Sequence, residues 1–496
     1  MAYVSPEPTK NRYINSTAIL LTIVTLLAFL MRIYWAFRFQ LTGDEAYYYL
    51  WSQHLDYAYH DHPAGIAWLI FLSSSIFGPS KFGIRFLNSL LGALTCVLAY
   101  KLAMALTNSK ASALATCCVF AFAPFMVLFG IFAFPDSLML FLFLLTLLVW
   151  FETTFQGRST KITILPTILF LNTKYNSYLV VLALVGSYFW LNRKTIRSKD
   201  IWPILGIFAL GLLPVLVWNS FHDWSSFHWQ VDHFINGVGP NKSLFEEIGS
   251  IITFYSLPTI VLSIMGVLSL KKGKQNAWLV LIGLFYFVPF FLSALDSARN
   301  MSMAFIPWLI ASSSYVEMRE HVSFLSHLRK RFWNNITSLV VVLLVTIITA
   351  SGFISSFTGF QALPDPIRAD YDNIVNDGIG IKDIALQLKH VSFNVLVTPN
   401  YDLAGKLQYF MSEYSIYTNW QQFWYWGISL EENLTVVAYS DQWSSKLASL
   451  CSVLSPVEQL VAKKGNHTVS VFYWNCYGRN VTTEQFMSEL DYLSGS

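Results

Sequence analysis

Charged side chains are scarce in this chain. Asp, Glu, Lys and Arg make up 12% of its 496 residues, against roughly a quarter in an ordinary soluble domain. With 54% hydrophobic residues and a mean hydropathy of +0.48, that shortage excludes a conventional soluble protein and leaves a polytopic membrane protein. Cysteine is scarce too, and no CxxC or Cys/His cluster is present, which argues against a zinc site. Three of the five cysteines, Cys96, Cys117 and Cys118, lie inside apolar runs, where buried thiols are ordinary. No internal repeat or low-complexity segment is evident. The first apolar run is long and lacks a small-residue cleavage pattern, so it reads as a span rather than a cleaved signal.

What charge there is lies unevenly. From Leu363 onward there are 14 acidic and 8 basic residues, whereas the preceding part has 15 acidic and 24 basic. A hydrophobic, basic block is followed by an acidic, more polar one. This predicts a membrane domain over 1–358 and a soluble domain over 359–496. Nucleic-acid binding is not indicated, because the basic residues sit in short loops between apolar runs.

A spanning helix needs about 20 apolar residues. Candidate runs are 17–37, 82–106, 111–131, 137–155, 201–219, 249–270, 277–294, 301–316 and 336–357. The stretch 162–191 is too long for one ordinary helix. Basic segments flank it on both sides, "GRSTK" and "RKTIRSK", so the positive-inside rule makes it a hairpin turning near "NTKYNS". Eleven spans result. Lys10 and Arg12 hold the N-terminus in the cytoplasm, and the soluble domain falls outside. The apolar but short run 64–77 reads as an interfacial or re-entrant helix. In the soluble block, strand-like "NVLVTP", "LTVVAYS" and "TVSVFYWNCY" alternate with helix-like "DLAGKLQYFMS" and "SSKLASLCSV", which predicts a small α/β domain. Cys451 and Cys476 both fall in this block, where an outside location permits a disulfide.

On this topology the outer face collects the titratable chemistry. The stretch "LTGDEAYYYLWSQHLDYAYHDHPAGIAWLI", Leu41–Ile70, follows the first span and supplies the largest share, within an outer loop over 38–81. Asp44 and Glu45 open it, with the plainer reading that they cap a juxtamembrane helix. Asp136, in "FPDS", joins them on the same face, where it too is placed to cap a helix. Carboxylates at one water–lipid boundary can supply a general base and a metal or hydrogen-bonding partner. Lys174 and Arg299 are cations in or beside spans. Such a group needs a partner or a job: pairing with an acid such as Asp296, or neutralising a phosphate. Lys81 and Arg85 read as interfacial anchors. His60, Asp61 and His62 could offer one or two metal ligands, although three consecutive residues rarely face one ion. The residues alone point to acid/base chemistry on a lipid-soluble substrate that carries phosphate.

The stretch from Gly43 to Ile70 closely resembles the first outer loop of bacterial GT-C glycosyltransferases. These include the lipid A aminoarabinose transferases and the protein O-mannosyltransferase-like (dolichyl-phosphate-mannose-protein mannosyltransferase) enzymes. In that group the loop reads Asp-Glu-Ala-Tyr-Tyr, Trp-Ser, then Tyr-Asp-His-Pro-Pro; here Ala64 replaces the second proline. "FPDS", "LNTKYNSYL", "FHWQVDHFINGVG" and "SARNMSMAFIPWL" resemble later family segments in order, the last keeping Asn300. "YDLAGKLQYFM" and "TNWQQFWYW" resemble parts of the outer domain.

The resemblance implies an inner-membrane glycosyltransferase that takes a sugar from a polyprenyl-phosphate donor and passes it to a hydroxyl or phosphate of an envelope acceptor, a lipid or a protein. It implies Asp44 as the acid that deprotonates or orients the acceptor. Glu45 and Asp136 would support it, and Lys174 and Arg299 would bind the donor phosphate. Tyr47, Tyr48, Trp51, His60, Asp61, His62 and Asn300 would line the substrate loop. A divalent cation has Asp44, Asp136 and His62 as its candidate ligands. The rival class is a transporter or flippase, for which inverted repeats are expected and not seen. A third reading is a non-catalytic binder of the lipid-linked sugar.

Overall fold

The computed structural model describes residues 16–236, 251–252, 255–292, 302–318, 377–391, 393–464 and 467–490. The described residues form a bundle of apolar helices and an α/β unit seated on one end of it. Arg299, Asn300, the run 336–357 and the expected 358/359 domain boundary lie outside the described residues.

The helices follow the apolar runs. They are α1 (Ser16–Arg38), α2 (Gly43–Gln53), α3 (Gly65–Phe77), α4 (Lys81–Thr107), α5 (Lys110–Phe122), α6 (Pro124–Ile131) and α7 (Pro135–Gln156), then α8 (Ile164–Leu171), α9 (Ser177–Asn192), α10 (Ser198–Phe221) and α11 (Ser225–Asn236). Apolar helices at Leu257–Leu268, Lys274–Leu292 and Ser302–Met318 complete the described bundle. Among the described residues, α1, α4, α7 and α10 are each long and apolar enough to cross a membrane, and the bent pair α5–α6 makes a fifth candidate. The outward faces are greasy. Leu26, Leu27, Leu30, Trp202, Leu205 and Leu213 are all exposed, on a scale no water-facing surface tolerates. That is the surface of a protein solvated by lipid.

The α5–α6 break has a resident partner. Pro124 starts α6 after Ala123, and the two helices meet at 55°, as expected where proline removes a backbone donor. Arg32, in the middle of α1 and fully buried, donates to the carbonyls of Ala121 and Met126, both at 3.0 Å. A buried cation inside a span needs such acceptors.

The stretch 160–192 turns back on itself where the basic flanks predicted. Thr167 accepts from Trp150 Nε1 at 3.1 Å, Phe170 stacks on Phe143, and Lys174 reaches Asp136. The outgoing arm thus runs antiparallel to α7. The returning arm brings Tyr188 back against Trp150. Run 64–77 is α3, 13 residues long, with Trp68, Phe71, Leu72 and Ile76 exposed. It is too short to cross a bilayer, and these side chains give it an exposed apolar face.

The α/β unit is a six-stranded mixed sheet: β1 (Val395–Val397), β2 (Ser415–Tyr417), β3 (Asn433–Ala438), β4 (Cys451–Leu454), β5 (Glu458–Lys464) and β6 (His467–Arg479). The order is β2-β1-β3-β6-β4, with β5 also pairing β6. β1 runs parallel to both β2 and β3, and the other pairs are antiparallel. Every strand and helix expected here is present. The helix after Ser444 ends at Leu450, however, so Cys451 opens β4 instead of lying in the helix. Its disulfide to Cys476 is formed, with Cα atoms 5.4 Å apart, inside the range a bridge requires.

Candidate functional site

The site is built on α2 and the loop that follows it. Thr42 caps α2: its hydroxyl accepts from Glu45 N at 3.2 Å, and Glu45 Oε2 accepts from Thr42 N at 3.1 Å, a capping box that fixes the first turn. Asp44 projects from that turn and is partly exposed. Its Oδ1 accepts a 3.1 Å hydrogen bond from Tyr401 of the α/β unit.

Glu45 points the other way and is fully buried. Arg85 meets it with two contacts, Nε to Oε1 at 2.6 Å and Nη2 to Oε2 at 2.5 Å. Ala133 N adds a third at 2.9 Å. Arg85 also donates to the carbonyls of Ala36, Phe39 and Gln40. Glu45 thus ties α2 to α4 and to the approach of α7 through its carboxylate. One expectation is corrected here. Arg85 is its buried counter-charge, not an interfacial anchor. Lys81, one turn earlier, donates to Gln40 at 3.3 Å.

The contact at Ala133 brings α7 beneath α2. Pro135 occupies the first turn of α7, and Ser137 rather than Asp136 closes that turn, its Oγ accepting from Phe134 N. Asp136 lies in the same turn. Its Oδ1 receives Lys174 Nζ at 2.9 Å; Asp136 is 1% exposed and Lys174 12%. The hairpin turn that carries Lys174 is pinned to the first loop, because Gly65 N donates to Asn172 O at 2.9 Å. A side chain at Gly65 would strike that carbonyl, so the close approach requires glycine.

Between α2 and α3 the chain makes a tight turn, with Ala58 bridged to Pro63. Asp61 at its tip is buried; its Oδ2 accepts from Tyr47 Oη at 2.8 Å and Trp420 Nε1 at 3.3 Å. Burial pushes its carboxyl up to about 7, with a smaller contribution from the charge of Asp44 and opposition from the two donors. Gln230 of α11 donates to Asp61 O at 2.8 Å, and Gln422 Oε1 accepts from His60 N at 2.8 Å. His60 lies between Trp229 and Trp420, and burial lowers its imidazole to about 4, leaving it neutral. His62 is half-buried and lends its carbonyl to Tyr59 N.

The loop aromatics pack on one another. Trp51 is fully buried and stacks on Tyr59 at 4.2 Å, while Tyr47 and Tyr48 pack edge-on against it at 5.1 and 4.9 Å. All three are buried in the loop's own core, and Tyr47 also donates through its hydroxyl to Asp61.

Among the described residues no three His, Cys, Asp or Glu side chains gather as a metal-holding group. The trio Asp44, Asp136 and His62 does not form such a set: Asp44 meets Tyr401, and Asp136 meets Lys174.

Several participants were not singled out from the sequence. Tyr401, Asp377, Lys406, Trp420 and Gln422 all come from the α/β unit. Lys406 is buried and contacts Asp377 at 2.6 Å and Asp402 at 3.1 Å. Asp377 Oδ2 in turn accepts from Gly43 N at 2.6 Å. Only the Asp402–Lys406 spacing, one helical turn, was a readable signal for any of these contacts.

The described residues thus combine a bundle of apolar helices, carboxylates with a paired lysine, and a mixed-sheet unit over one end. The comparisons agree. The family model described as dolichyl-phosphate-mannose-protein mannosyltransferase matches residues 61–218. The lipid A galacturonosyltransferase RgtD of Rhizobium johnstonii is 27% identical over 249 residues, which is 48% of this chain and 52% of that protein. The matched stretch thus spans about half the length of that curated relative. An uncharacterized protein of Aquifex aeolicus is 34% identical over 85 residues, 17% of each chain. The crystal structure of ArnT from Cupriavidus metallidurans in the apo state superposes with a TM-score of 0.62 at 13% identity, over 92% of this chain and 98% of that one. The same protein bound to undecaprenyl phosphate gives a TM-score of 0.57 at 11% identity over the same shares. At those identities the likeness is one of fold. Together with the family model and the sequence relative it bears out the resemblance to GT-C glycosyltransferases.

Proposed function

We propose that this chain is an inner-membrane glycosyltransferase that transfers a hexose or pentose from a polyprenyl-phosphate donor to an envelope acceptor on the outer side of the membrane. The reading is carried by one observation. Asp44 and the Asp136–Lys174 pair are brought to the same end of the bundle, through the Glu45–Ala133 and Gly65–Asn172 contacts, beneath the α/β unit. The named activity of the Rhizobium relative favours lipid A over a protein as acceptor. The undecaprenyl phosphate in the related structure favours a donor of that lipid type. The topology that goes with this function has eleven spans, a cytoplasmic N-terminus and the 359–496 domain in the periplasm.

In the proposed reaction Asp44 takes the proton of the acceptor hydroxyl. A bond forms from that oxygen to the anomeric carbon as the bond from that carbon to the phosphate oxygen breaks, and polyprenyl phosphate departs. An acceptor phosphate would need no proton removed, and Asp44 would then serve to orient it. Negative charge grows on the leaving phosphate, and Lys174 offsets it. Asp136 holds the ammonium in place; Arg299 remains a proposed second phosphate ligand, with Asn300 beside it.

The experiment uses the purified full chain in proteoliposomes, with host membrane lipid extract as donor pool and lipid A as acceptor, read by mass spectrometry. Asp44→Asn is expected to lower transfer by about 10²–10⁴, and Lys174→Ala to weaken binding of undecaprenyl phosphate measured by native mass spectrometry. Normal turnover by Asp44→Asn would overturn the assignment of the base. Flipping of donor without any mass added to lipid A would favour the transporter reading. Repeating the assay in chelator, with and without added Mg²⁺, tests the divalent cation.

A further inference from the structure

We infer that Tyr401 is a positioning residue for Asp44, so that the α/β unit sets the orientation of a carboxylate that belongs to the membrane unit. This rests on the reading of Asp44 as the base. Tyr401 is the first residue of the helix Tyr401–Phe410, and its hydroxyl donates to Asp44 Oδ1 at 3.1 Å. Its ring is fixed on two sides, 5.2 Å from Tyr47 and 4.8 Å from Trp420. Burial and the charge on Asp44, the latter being the larger influence, hold the phenol well above its ordinary value. It therefore stays a donor across the working pH range.

The helix that carries Tyr401 is seated on α2 backbone to backbone. A Cβ on Gly43 would lie 2.5 Å from Asp402 Cβ, and one on Gly405 would lie 2.9 Å from Tyr47 N. One glycine from each helix makes the approach possible. Lys406 locks the register, joining Asp377 and Asp402, while Asp377 accepts from Gly43 N, the residue before Asp44. Burial works against the Lys406 charge, but Tyr439, Asp402 and Asp377 outweigh it and raise its pKa. The ammonium is a permanent tie. The first turn of α2 is thus gripped at its backbone by Asp377 and at its reactive side chain by Tyr401.

Tyr401→Phe tests this, because it keeps the ring and deletes the hydroxyl. The full chain is purified, and an unchanged melting temperature establishes that the fold is kept. The carboxylate stretch of Asp44 is isolated as the infrared difference between a given protein and its Asp44→Asn version. That band is expected to shift in Tyr401→Phe, since it loses a donor. In the lipid A assay, turnover is expected to fall about tenfold, in line with a hydrogen bond to a charged group. The donor level giving half-maximal rate should not change. An unshifted band, or a shifted band with full turnover, overturns the inference. Inactive Asp44→Asn beside unaffected Tyr401→Phe removes the inference and leaves the proposed reaction standing. Active Asp44→Asn removes both.

Discussion

Two neighbouring carboxylates, Asp44 and Glu45, have opposite fates because successive helical residues project about 100° apart. One faces the α/β unit and stays partly exposed. The other faces the bundle and disappears against Arg85. A buried ion pair contributes little net stability when compared with apolar residues, but losing one partner leaves the other charge stranded. Glu45→Gln is therefore expected to cost about 3–5 kcal/mol, seen as a lowered melting temperature and poor recovery of folded protein. A stable, well-folded Glu45→Gln protein lacking only transfer would reassign Glu45 to the chemistry. The contrast with Asp44→Asn, expected to fold normally, is the sharpest separation available at this scale.

Elements meet at this site through glycine. The helix Tyr401–Phe410 crosses α2 at Gly43 and Gly405, where ordinary side chains would push the backbones apart. Gly405→Val is expected to destabilise the contact by about 1–3 kcal/mol through overpacking. Because Tyr401 rides on the same helix, transfer should fall along with protection of the α2 amides in hydrogen exchange. Unchanged exchange in α2 would show that the crossing is looser than its geometry implies. The hairpin of α8 and α9 works in a similar way. Its turn carries Lys174 to Asp136, and Asn172 O receives Gly65 N. A single broken stretch thereby couples the paired lysine to the first loop.

At the scale of the whole molecule, a lipid-solvated bundle supports a domain built like a water-soluble one, with its own core around Val395, Val436, Trp443 and Trp474. The Cys451–Cys476 bridge, closing 25 residues, joins β4 to β6 in that domain. On the chain-entropy argument it contributes about 3–4 kcal/mol. Replacing both cysteines with alanine should lower the urea midpoint of the domain by a corresponding amount, followed by tryptophan fluorescence. Transfer should decline under the same denaturant, since the domain supplies Tyr401. An unshifted midpoint would show that the bridge adds nothing.

Local sequence was enough to read the membrane class, the long helices, the hairpin turn at Lys174 and the alternation of the α/β unit. Each of these depends on local quantities: apolar run length, flanking charge and periodicity. It also singled out Asp44, Asp136 and Lys174, because ionisable groups beside apolar runs stand out against their background. It could not tell Asp44 from Glu45, or see that Trp51 and Tyr47 face inward, because burial depends on which way α2 turns once packed. The partners emerged from three-dimensional packing: Glu45 with Arg85, 40 residues away, and Asp44 with Tyr401, 357 residues away. Such pairings carry no mark in local composition. They arise where segments distant in sequence pack together, as α2 does against α4 and against the helix Tyr401–Phe410, and that is settled by packing of the whole chain.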